Sequence, residues 1–379
     1  MKSLMLVLLT LNFFPKSWAN PAAQMNSALQ ALTSLMPYMS DKEKFFDPKN
    51  ETEIANGITT LQTTFKNFKH ESVLKNDVFA PSYLLINEHL AESKNAFLKN
   101  KKKEFSLWRL KELTTLCLDC HTRLPTTHPS SFAKGAKKLD ETRFTSTYNL
   151  ALAQLIVRQY EESEANFIKV INDKLAKNDK VNLENSFRQI LMIEAKILKN
   201  PKRLKEIFQP YVTKAEMPKL LKDSLINWMN RLNYVTEMRQ KTGTHLKNDE
   251  DLKNYVTNVL APLKNLSIYD DAYDVDLLIS SGLISNYLYS NPKSVMVPEM
   301  LYWMGWLEKR LHRQDFFGSG DLFLKQCIRK YPNHPRAKDC YQEYKDIIEF
   351  EFTGSGGTYV PEDLQLELDE LKKILPKTR

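Results

Sequence analysis

The sequence predicts an all-α protein, and three observations support this fold class. The chain has 379 residues, about twice the length of one typical domain, and only 10 of them are glycine. Over most of the chain, apolar residues recur at intervals of three and four, as on one face of a helix. The composition, 42% hydrophobic and 26% charged, is that of a folded chain with a sizeable core. The scarcity of glycine argues against Gly-rich phosphate-binding loops and a Rossmann nucleotide site.

The amino terminus has the three parts of a secretory signal peptide, which we assign to residues 1–19. A lysine precedes the apolar stretch Leu4–Phe14, and Ser17 and Ala19 are the small residues that a signal peptidase reads. The apolar stretch is too short to span a bilayer, which needs about 20 apolar residues, and no later segment is a spanning candidate. We expect cleavage before Asn20 and export to the periplasm of a Gram-negative bacterium.

The net charge excludes few partners. Cleavage would remove two lysines and no acid, leaving 52 basic against 46 acidic residues and changing the formal charge from +8 to +6. The basic residues are spread along helical patterns, which is typical of solvated helix faces, so we expect no nucleic-acid partner. A weak peripheral contact with anionic lipid headgroups is compatible with this charge.

Four amphipathic helices are predicted in the first part of the mature chain, residues 20–124. Helical spacing of apolar residues covers residues 21–39, 51–70, 82–100 and 102–121, with short connections between them. Four such helices with short links predict an up-down-up-down four-helix bundle. Residues 125–140, which contain prolines and a glycine among several Ser and Thr, are the predicted linker.

Residues 141–353 are predicted to form a degenerate solenoid of helix pairs, similar to tetratricopeptide repeats. Two segments carry the alternation of large and small residues found in such pairs: Tyr160, Ser163, Phe167 and Val170, and then Gly305, Gly320, Leu324 and Cys327. Small residues at these positions let two helices approach each other closely. Residues 354–379 begin with three glycines and are predicted to end in a helix from Pro361 that caps the solenoid.

One short motif carries chemistry. Cys117, Leu118, Asp119, Cys120 and His121 form a C-x-x-C-H sequence, which indicates covalent attachment of one c-type haem. Cysteines three residues apart lie on one side of a helical turn, where each thiol can bond one haem vinyl group. The histidine that follows is then directed to the iron as its proximal ligand. Haem c is attached after export, so the motif and the predicted signal peptide support each other.

Other interpretations of the motif fit the sequence less well. A thioredoxin-type dithiol begins a helix that follows a strand, whereas this C-x-x-C ends a predicted helix. A zinc site needs a second ligand pair of matching spacing, and Cys327 and Cys340 are 13 residues apart and distant in sequence. A disulfide between Cys117 and Cys120 would be strained.

The motif's position resembles that of the cytochrome c-prime type of c-type cytochrome. In that family the haem is attached at the end of the fourth helix and lies in the bundle core, and the resemblance covers residues 21–124. It implies thioether bonds at Cys117 and Cys120 and an axial ligand at His121.

The same resemblance concerns residues near the motif. It implies that Trp108, Leu113 and Leu116 belong to the bundle core or to the wall of the haem pocket. The family often has a basic residue just after the histidine, so Arg123 is a candidate partner for a haem propionate.

The distal ligand remains open between several residues. Met25 begins the first helix, which in an antiparallel bundle lies beside the end of the fourth. His70 ends the second helix at a similar level, His89 lies in the third helix, and His128 in the linker would have to fold back. An iron without a sixth ligand would favour gas binding over electron transfer.

A structural disulfide between Cys327 and Cys340 is predicted, because both lie in an exported chain and on helices that a short turn makes antiparallel neighbours. This disulfide would hold the end of the solenoid together. Two buried thiols are the alternative.

The remaining sequence offers no protein-only catalytic set, and we predict no enzyme. No H-E-x-x-H, G-x-S-x-G or Walker motif is present, and His245 and His312 lack nearby ligand-type residues. The acidic cluster comprises Asp270, Asp271, Asp274 and Asp276. We expect it to be a solvated helix start.

The sequence thus predicts a periplasmic monohaem c-type cytochrome that transfers single electrons, with the helical-repeat region as a docking surface for a redox partner protein. The alternative is a haem-based gas or redox sensor, or a periplasmic assembly scaffold, in which the repeat region is the functional surface. A small peroxidase-like activity is a third possibility, although no distal acid–base pair is visible.

Overall fold

The computed structural model describes residues 21–68, 76–123, 139–242, 246–265, 271–313 and 319–376. These residues are almost entirely helical, which confirms the all-α prediction. The strands among them are two pairs of residues, Thr353–Gly354 (β1) and Gly357–Thr358 (β2), which form a short antiparallel hairpin. The predicted signal peptide, residues 1–19, lies outside the described residues.

Seventeen α-helices follow one another along the described ranges. In chain order they are α1 (Pro21–Met39), α2 (Lys42–Phe46), α3 (Glu51–Lys66), α4 (Ala80–Lys94), α5 (Lys103–Arg123), α6 (Thr147–Ile156), α7 (Tyr160–Ala176), α8 (Leu183–Met192), α9 (Pro201–Val212), α10 (Lys219–Thr242), α11 (Asp249–Tyr255), α12 (Ala261–Leu263), α13 (Asp274–Ser290), α14 (Val297–Arg313), α15 (Gly320–Lys330), α16 (Arg336–Glu351) and α17 (Glu362–Ile374). Three π-helical turns, Asn95–Lys99, Ile193–Ile197 and Val256–Leu260, continue α4, α8 and α11.

The first four long helices pack in chain order. Helix α1 contacts α3, α3 contacts α4, α4 contacts α5, and α5 returns to α1. Fully buried apolar side chains such as Leu35, Ile58 and Leu110 fill the space between them. Helix α3 ends four residues before the predicted end, because the chain turns at Asn67, whose backbone N–H bonds to the carbonyls of Thr63 and Phe65.

Later helices also pack on their neighbours in the chain, and two glycines set the closest approach. Helix α6 contacts α7, α14 contacts α15, and α15 contacts α16. A Cβ placed on Gly320 would lie 2.5 Å from the carbonyl oxygen of Gly305, and one on Gly305 would lie 2.5 Å from Leu324. These are the small residues that the sequence predicts at a helix–helix contact.

The carboxyl-terminal helix and a disulfide hold the last helices together. Helix α17 packs on α15 and α16 and buries Leu368 and Leu371. The Sγ atoms of Cys327 on α15 and Cys340 on α16 are 2.11 Å apart and bonded as a disulfide.

The amino-terminal helices and the later helices share one continuous apolar core. The end of α5 contacts α6, α13 and the π-turn Ile193–Ile197, and α4 contacts α15. At the second contact, buried Asp77 accepts hydrogen bonds from Gln326 at 2.8 Å and from Tyr331 at 2.6 Å, and it forms an ion pair with Lys330.

Two members of the acidic cluster differ from the sequence expectation of a solvated helix start, while Asp270 lies outside the described residues. Asp274 and Asp276 are buried, and they pair with Arg188 and Arg231 respectively. Helical spacing alone predicted exposure, but arginines from α8 and α10 reach the start of α13 and compensate the two carboxylates.

A pair of carboxyl groups is buried between α7 and the π-turn Ile193–Ile197. Burial raises the pKa of Glu194 to about 9, and a hydrogen bond to Glu164 acts in the same direction. Glu164 in turn accepts from Arg203 at 3.0 Å. Glu194 is therefore protonated at neutral pH and donates its proton to the Glu164 carboxylate.

Replacing Gly320 by alanine should destabilise the protein. The added Cβ meets the α14 backbone, which cannot yield as a flexible side chain would, so we expect a loss of about 1–3 kcal/mol in the free energy of unfolding. A Cβ on Gly354 has no atom within 4 Å, so Gly354→Ala is the matched control and should change stability by less than about 0.5 kcal/mol. Urea denaturation of both variants measures the difference, and equal midpoints would contradict the close packing.

The Glu194 proton should make stability depend on pH. The pKa of Glu194 is about 9 in the folded chain and 4.5 in an unfolded one, so the stabilisation is full below about pH 4.5 and is lost as the pH rises through 9. We expect the free energy of unfolding to fall between pH 5 and pH 9, by at most about 1.4 kcal/mol per pH unit.

Glu194→Gln keeps a donor to Glu164 and should flatten this profile. Glu161→Gln, at an exposed position of helix α7, which carries Glu164, should retain the wild-type slope. Denaturation midpoints measured across this pH range decide the question, and a Glu194→Gln profile as steep as wild type would show that another group holds the proton.

Candidate cofactor site

The C-x-x-C-H motif occupies the last two turns of α5. A helix rotates by about 100° per residue, so Cys117, Cys120 and His121 lie within one arc of about 100° and face the same side. Cys117 is buried, while Cys120 and His121 are half-buried. Neither cysteine is in a disulfide, although the same chain joins Cys327 to Cys340. The motif thus presents two thiols and one imidazole on a single helix face.

Both thiols are protonated at neutral pH. Burial raises the pKa of Cys117 to about 12, and burial raises that of Cys120 to about 12 as well. The nearby Arg123 guanidinium opposes the shift at Cys120 without cancelling it. Such thiols are weak nucleophiles and weak metal ligands, since both of those roles belong to the thiolate.

The His121 imidazole is oriented by a helix from the later part of the chain. Its Nδ1 lies 2.6 Å from the carbonyl oxygen of Ile156, at the end of α6. A carbonyl oxygen only accepts hydrogen bonds, so Nδ1 carries the proton and donates it. Burial lowers the pKa of His121 to about 4, and the charge of Arg158 acts in the same direction. The ring is therefore neutral, with its lone pair on Nε2, which is the form that binds a metal.

The end of α6 is shaped for this contact. Arg158 adopts a left-handed backbone conformation, with φ of 64°, and its N–H bonds to the carbonyl of Leu155 at 3.1 Å. The next residue, Gln159, bonds back to the Gln154 carbonyl at 2.8 Å, which closes the helix. The last carbonyls of a helix lack intrahelical partners and form the negative end of its dipole. His121 therefore donates to an electron-rich carbonyl.

The structure does not bring His89 to His121. Arg109 donates to Nε2 of His89 at 3.1 Å, and burial lowers the pKa of His89 to about 4. Arg109 precedes His121 by 12 residues on α5, which is about 18 Å along a helix. His89 therefore binds Arg109 at a level well away from the motif. Among the other distal candidates, His70 and His128 lie outside the described residues, and so does the side chain of Met25.

Two residues near the motif have roles that the sequence did not predict. Trp108 is half exposed, so it does not belong to the core, whereas Leu113 and Leu116 are buried as expected. Arg123 is 1% exposed and donates to Ser82 Oγ at 3.2 Å and to the Val78 carbonyl.

The remaining contacts of Arg123 complete its enclosure within the protein. Its guanidinium pairs with Asp119 and stacks on the Phe323 ring at 4.3 Å. These contacts hold the Arg123 side chain inside the fold.

A cavity of about 260 Å³ lies between α1, α5 and α6. Met36, Leu118 and Ile156 are among its apolar lining residues, and Lys111 and Asn149 are among the polar ones. Neither Cys117 nor Cys120 lines it. Within the described residues, no group of three His, Cys, Asp or Glu side chains is placed to share a metal ion.

Comparison with known proteins adds no relative. No family model, curated protein or solved structure matches this chain. In the part of the chain that the structure describes, no helix is both long and apolar enough to cross a membrane.

Sequence reasoning missed the residues that surround the motif. The residues that contact or approach the motif are 35 to 200 positions away from it in the sequence, and no motif marks them. They are Ile156, Arg158 and Ser319. Asp119 lies inside the motif, but only its buried contacts distinguish it from any other residue between the two cysteines.

Removing the His121 imidazole should destabilise the protein even without a cofactor. His121→Leu leaves the Ile156 carbonyl without its donor at a buried position, which is expected to lower the free energy of unfolding by about 1–3 kcal/mol. His312 is exposed on α14, so His312→Leu should change it by less than about 0.5 kcal/mol. Urea denaturation of the cofactor-free protein compares the two variants. Equal stabilities would mean that the His121–Ile156 hydrogen bond contributes nothing.

Proposed function

We propose that this chain is an exported monohaem c-type cytochrome that transfers single electrons. The thiols of Cys117 and Cys120 would carry one haem c as thioethers, and His121 would be its proximal ligand. The predicted signal peptide at residues 1–19 supports a periplasmic location, where haem c is attached.

The observation that carries the proposal is the donor set on the last two turns of α5. Two thiols, neither of them in a disulfide, lie one turn apart, and the adjacent imidazole is neutral with its lone pair on Nε2. Thioether formation needs protein thiols, and an iron ligand needs the neutral ring, so these residues fit the group. The hydrogen bond from Nδ1 to the Ile156 carbonyl is the outer contact that orients a ligating histidine and raises its basicity.

The chain's own residues determine how such a site would behave. Bound haem supplies a one-electron iron couple. The hydrogen bond to the Ile156 carbonyl would make His121 a stronger electron donor to iron and favour the oxidised state, while the buried positive charge of Arg158 would favour the reduced state. Burial of Cys117 and of the neighbouring apolar side chains excludes water. The axial ligand, burial and these two electrostatic contributions are the means by which the protein sets the potential.

The arrangement of the helices is consistent with the wider proposal. Helices α1, α3, α4 and α5 pack in chain order with the motif at the end of the last one, as in the four-helix bundle that the resemblance implies. The later helices, with their Gly305–Gly320 contact, form the proposed tetratricopeptide-like region. We propose that its exposed surface receives a redox partner protein.

Covalent haem is the first result to test. We expect protein made in the periplasm together with a haem-attachment system to carry one covalent haem, detected by intact mass and by a haemochrome spectrum. A Cys117→Ser/Cys120→Ser variant should carry none. Cys327→Ser/Cys340→Ser also loses two cysteines and is the matched control, and it should keep the haem. Wild-type protein without covalent haem would refute the proposal.

The distal ligand is tested in the haem-loaded protein. A low-spin spectrum that becomes high-spin in Met25→Ala or in His70→Ala identifies the sixth ligand. His89→Ala is the control and should leave the spectrum unchanged, because Nε2 of His89 binds Arg109. If the wild-type spectrum is high-spin and shifts when carbon monoxide is added, the proposal of electron transfer is wrong and gas binding takes its place.

A further inference from the structure

The side of the motif that faces away from the thiols is buried by the later part of the chain. Asp119 lies about 200° around α5 from Cys117, so its side chain points to the opposite side of the helix. It is fully buried, and its carboxylate pairs with Arg123 one turn further along and accepts a hydrogen bond from Ser319, 200 residues away. Asp119, one of the two residues between the cysteines, is thus hydrogen-bonded to the segment that precedes α15.

A second buried ion pair extends this contact. Nζ of Lys196, in the π-turn Ile193–Ile197, lies 2.9 Å from Oε1 of Glu308 on α14, and both side chains are at most 1% exposed. Ser281 donates to the same Glu308 oxygen. The two pairs also interact with each other, since Asp119 is attracted to Lys196 and Glu308 is attracted to Arg123. Four buried charges, two of each sign, therefore join α5, the π-turn and α14.

The neighbouring contacts extend the same interface along α15. Arg123 stacks on Phe323 of α15, and Asp77, just before α4, binds Gln326 and Lys330 of the same helix. Helix α15 thereby touches the amino-terminal helices at two places, one behind the motif and one at the start of α4.

Such an arrangement is not explained by stability alone. Buried ion pairs are often replaced by apolar residues of similar volume with no loss of stability, while removal of one partner is strongly destabilising. Buried charge pairs can instead restrict how the elements that carry them align with one another. Helix ends otherwise fray, and here the motif occupies the end of α5.

We propose that Asp119 is a positioning residue, which locks the C-x-x-C-H turn onto the carboxyl-terminal region through Arg123 and Ser319. The later helices are then half of the site and not a separate docking module. They fix the face on which Cys117, Cys120 and His121 project, and they bring the Ile156 carbonyl to His121. The role of this lock in holding a haem site rests on the proposed function, whereas the contacts that form the lock do not depend on it.

The lock is tested in the full-length, haem-free protein with the Cys327–Cys340 disulfide intact. Iodoacetamide labels the buried thiol of Cys117 only when the turn opens, and mass spectrometry follows the labelling rate at that residue. We expect Asp119→Asn to label roughly tenfold faster than wild type or more, because an uncompensated buried Arg123 favours opening. Ser319→Ala removes only the hydroxyl that links the two regions, so it should fold and should label faster by about threefold.

Asp274→Asn is the matched control. It also breaks a buried Asp–Arg pair, Arg188–Asp274 at 3.1 Å, on helices that do not carry the motif. Urea is added until wild type and variant have the same free energy of unfolding. Under these conditions the labelling rate of Asp274→Asn should lie within about twofold of the wild-type rate. If Asp119→Asn and Ser319→Ala label at the wild-type rate, or if Asp274→Asn accelerates labelling as much, the proposal is wrong. In haem-loaded protein, Asp119→Asn should shift the midpoint potential and Asp274→Asn should not.

These outcomes separate the two proposals. Wild-type protein that never acquires haem removes the cytochrome proposal but leaves the labelling result for Asp119 standing. Covalent haem together with unchanged labelling in Asp119→Asn and Ser319→Ala keeps the cytochrome proposal and removes the lock.

Discussion

The burial of two opposite faces at the end of α5 is the constraint on which the rest of the structure depends. A helix at the edge of a bundle normally buries one stripe and leaves the opposite face in water. In its last two turns α5 buries Cys117 on one face and Asp119 on the other. The buried Asp119 carboxylate is compensated by Arg123 and by the Ser319 hydroxyl, and it therefore links α5 to the segment that precedes α15.

This constraint changes the relation between the two parts of the chain. A docking module on a linker would present a polar, solvated boundary, and its internal order would not depend on its neighbour. Here the boundary contains four buried charges, a stacked Arg123–Phe323 pair and the hydrogen-bonded Asp77, within one continuous core. The two parts are therefore expected to fold and to unfold together, and the proposed docking surface belongs to the faces of the later helices that remain exposed.

The histidine of the motif depends on the same association. His121 is neutral because it is buried, and it has a defined tautomer because α6 ends with a carbonyl directed at Nδ1. A bundle of residues 21–123 alone would provide neither the Ile156 carbonyl nor the Arg158 charge. In the cytochrome that we propose, the electronic character of the axial ligand would thus be set by residues outside the bundle that carries the motif.

The sequence by itself determined the helical class, the bounds of α1, the small residues at the α14–α15 contact and the three side chains of the motif. All of these follow from local spacing, which a helix turns directly into a face. Tertiary structure alone decided which groups meet those faces. It placed Arg109 on His89, enclosed Arg123 beside Asp119 and Phe323, buried Asp274 and Asp276 beside arginines, and brought Ser319 to Asp119. Such pairs join residues 20 to 200 positions apart, and only the packing of whole helices brings them together.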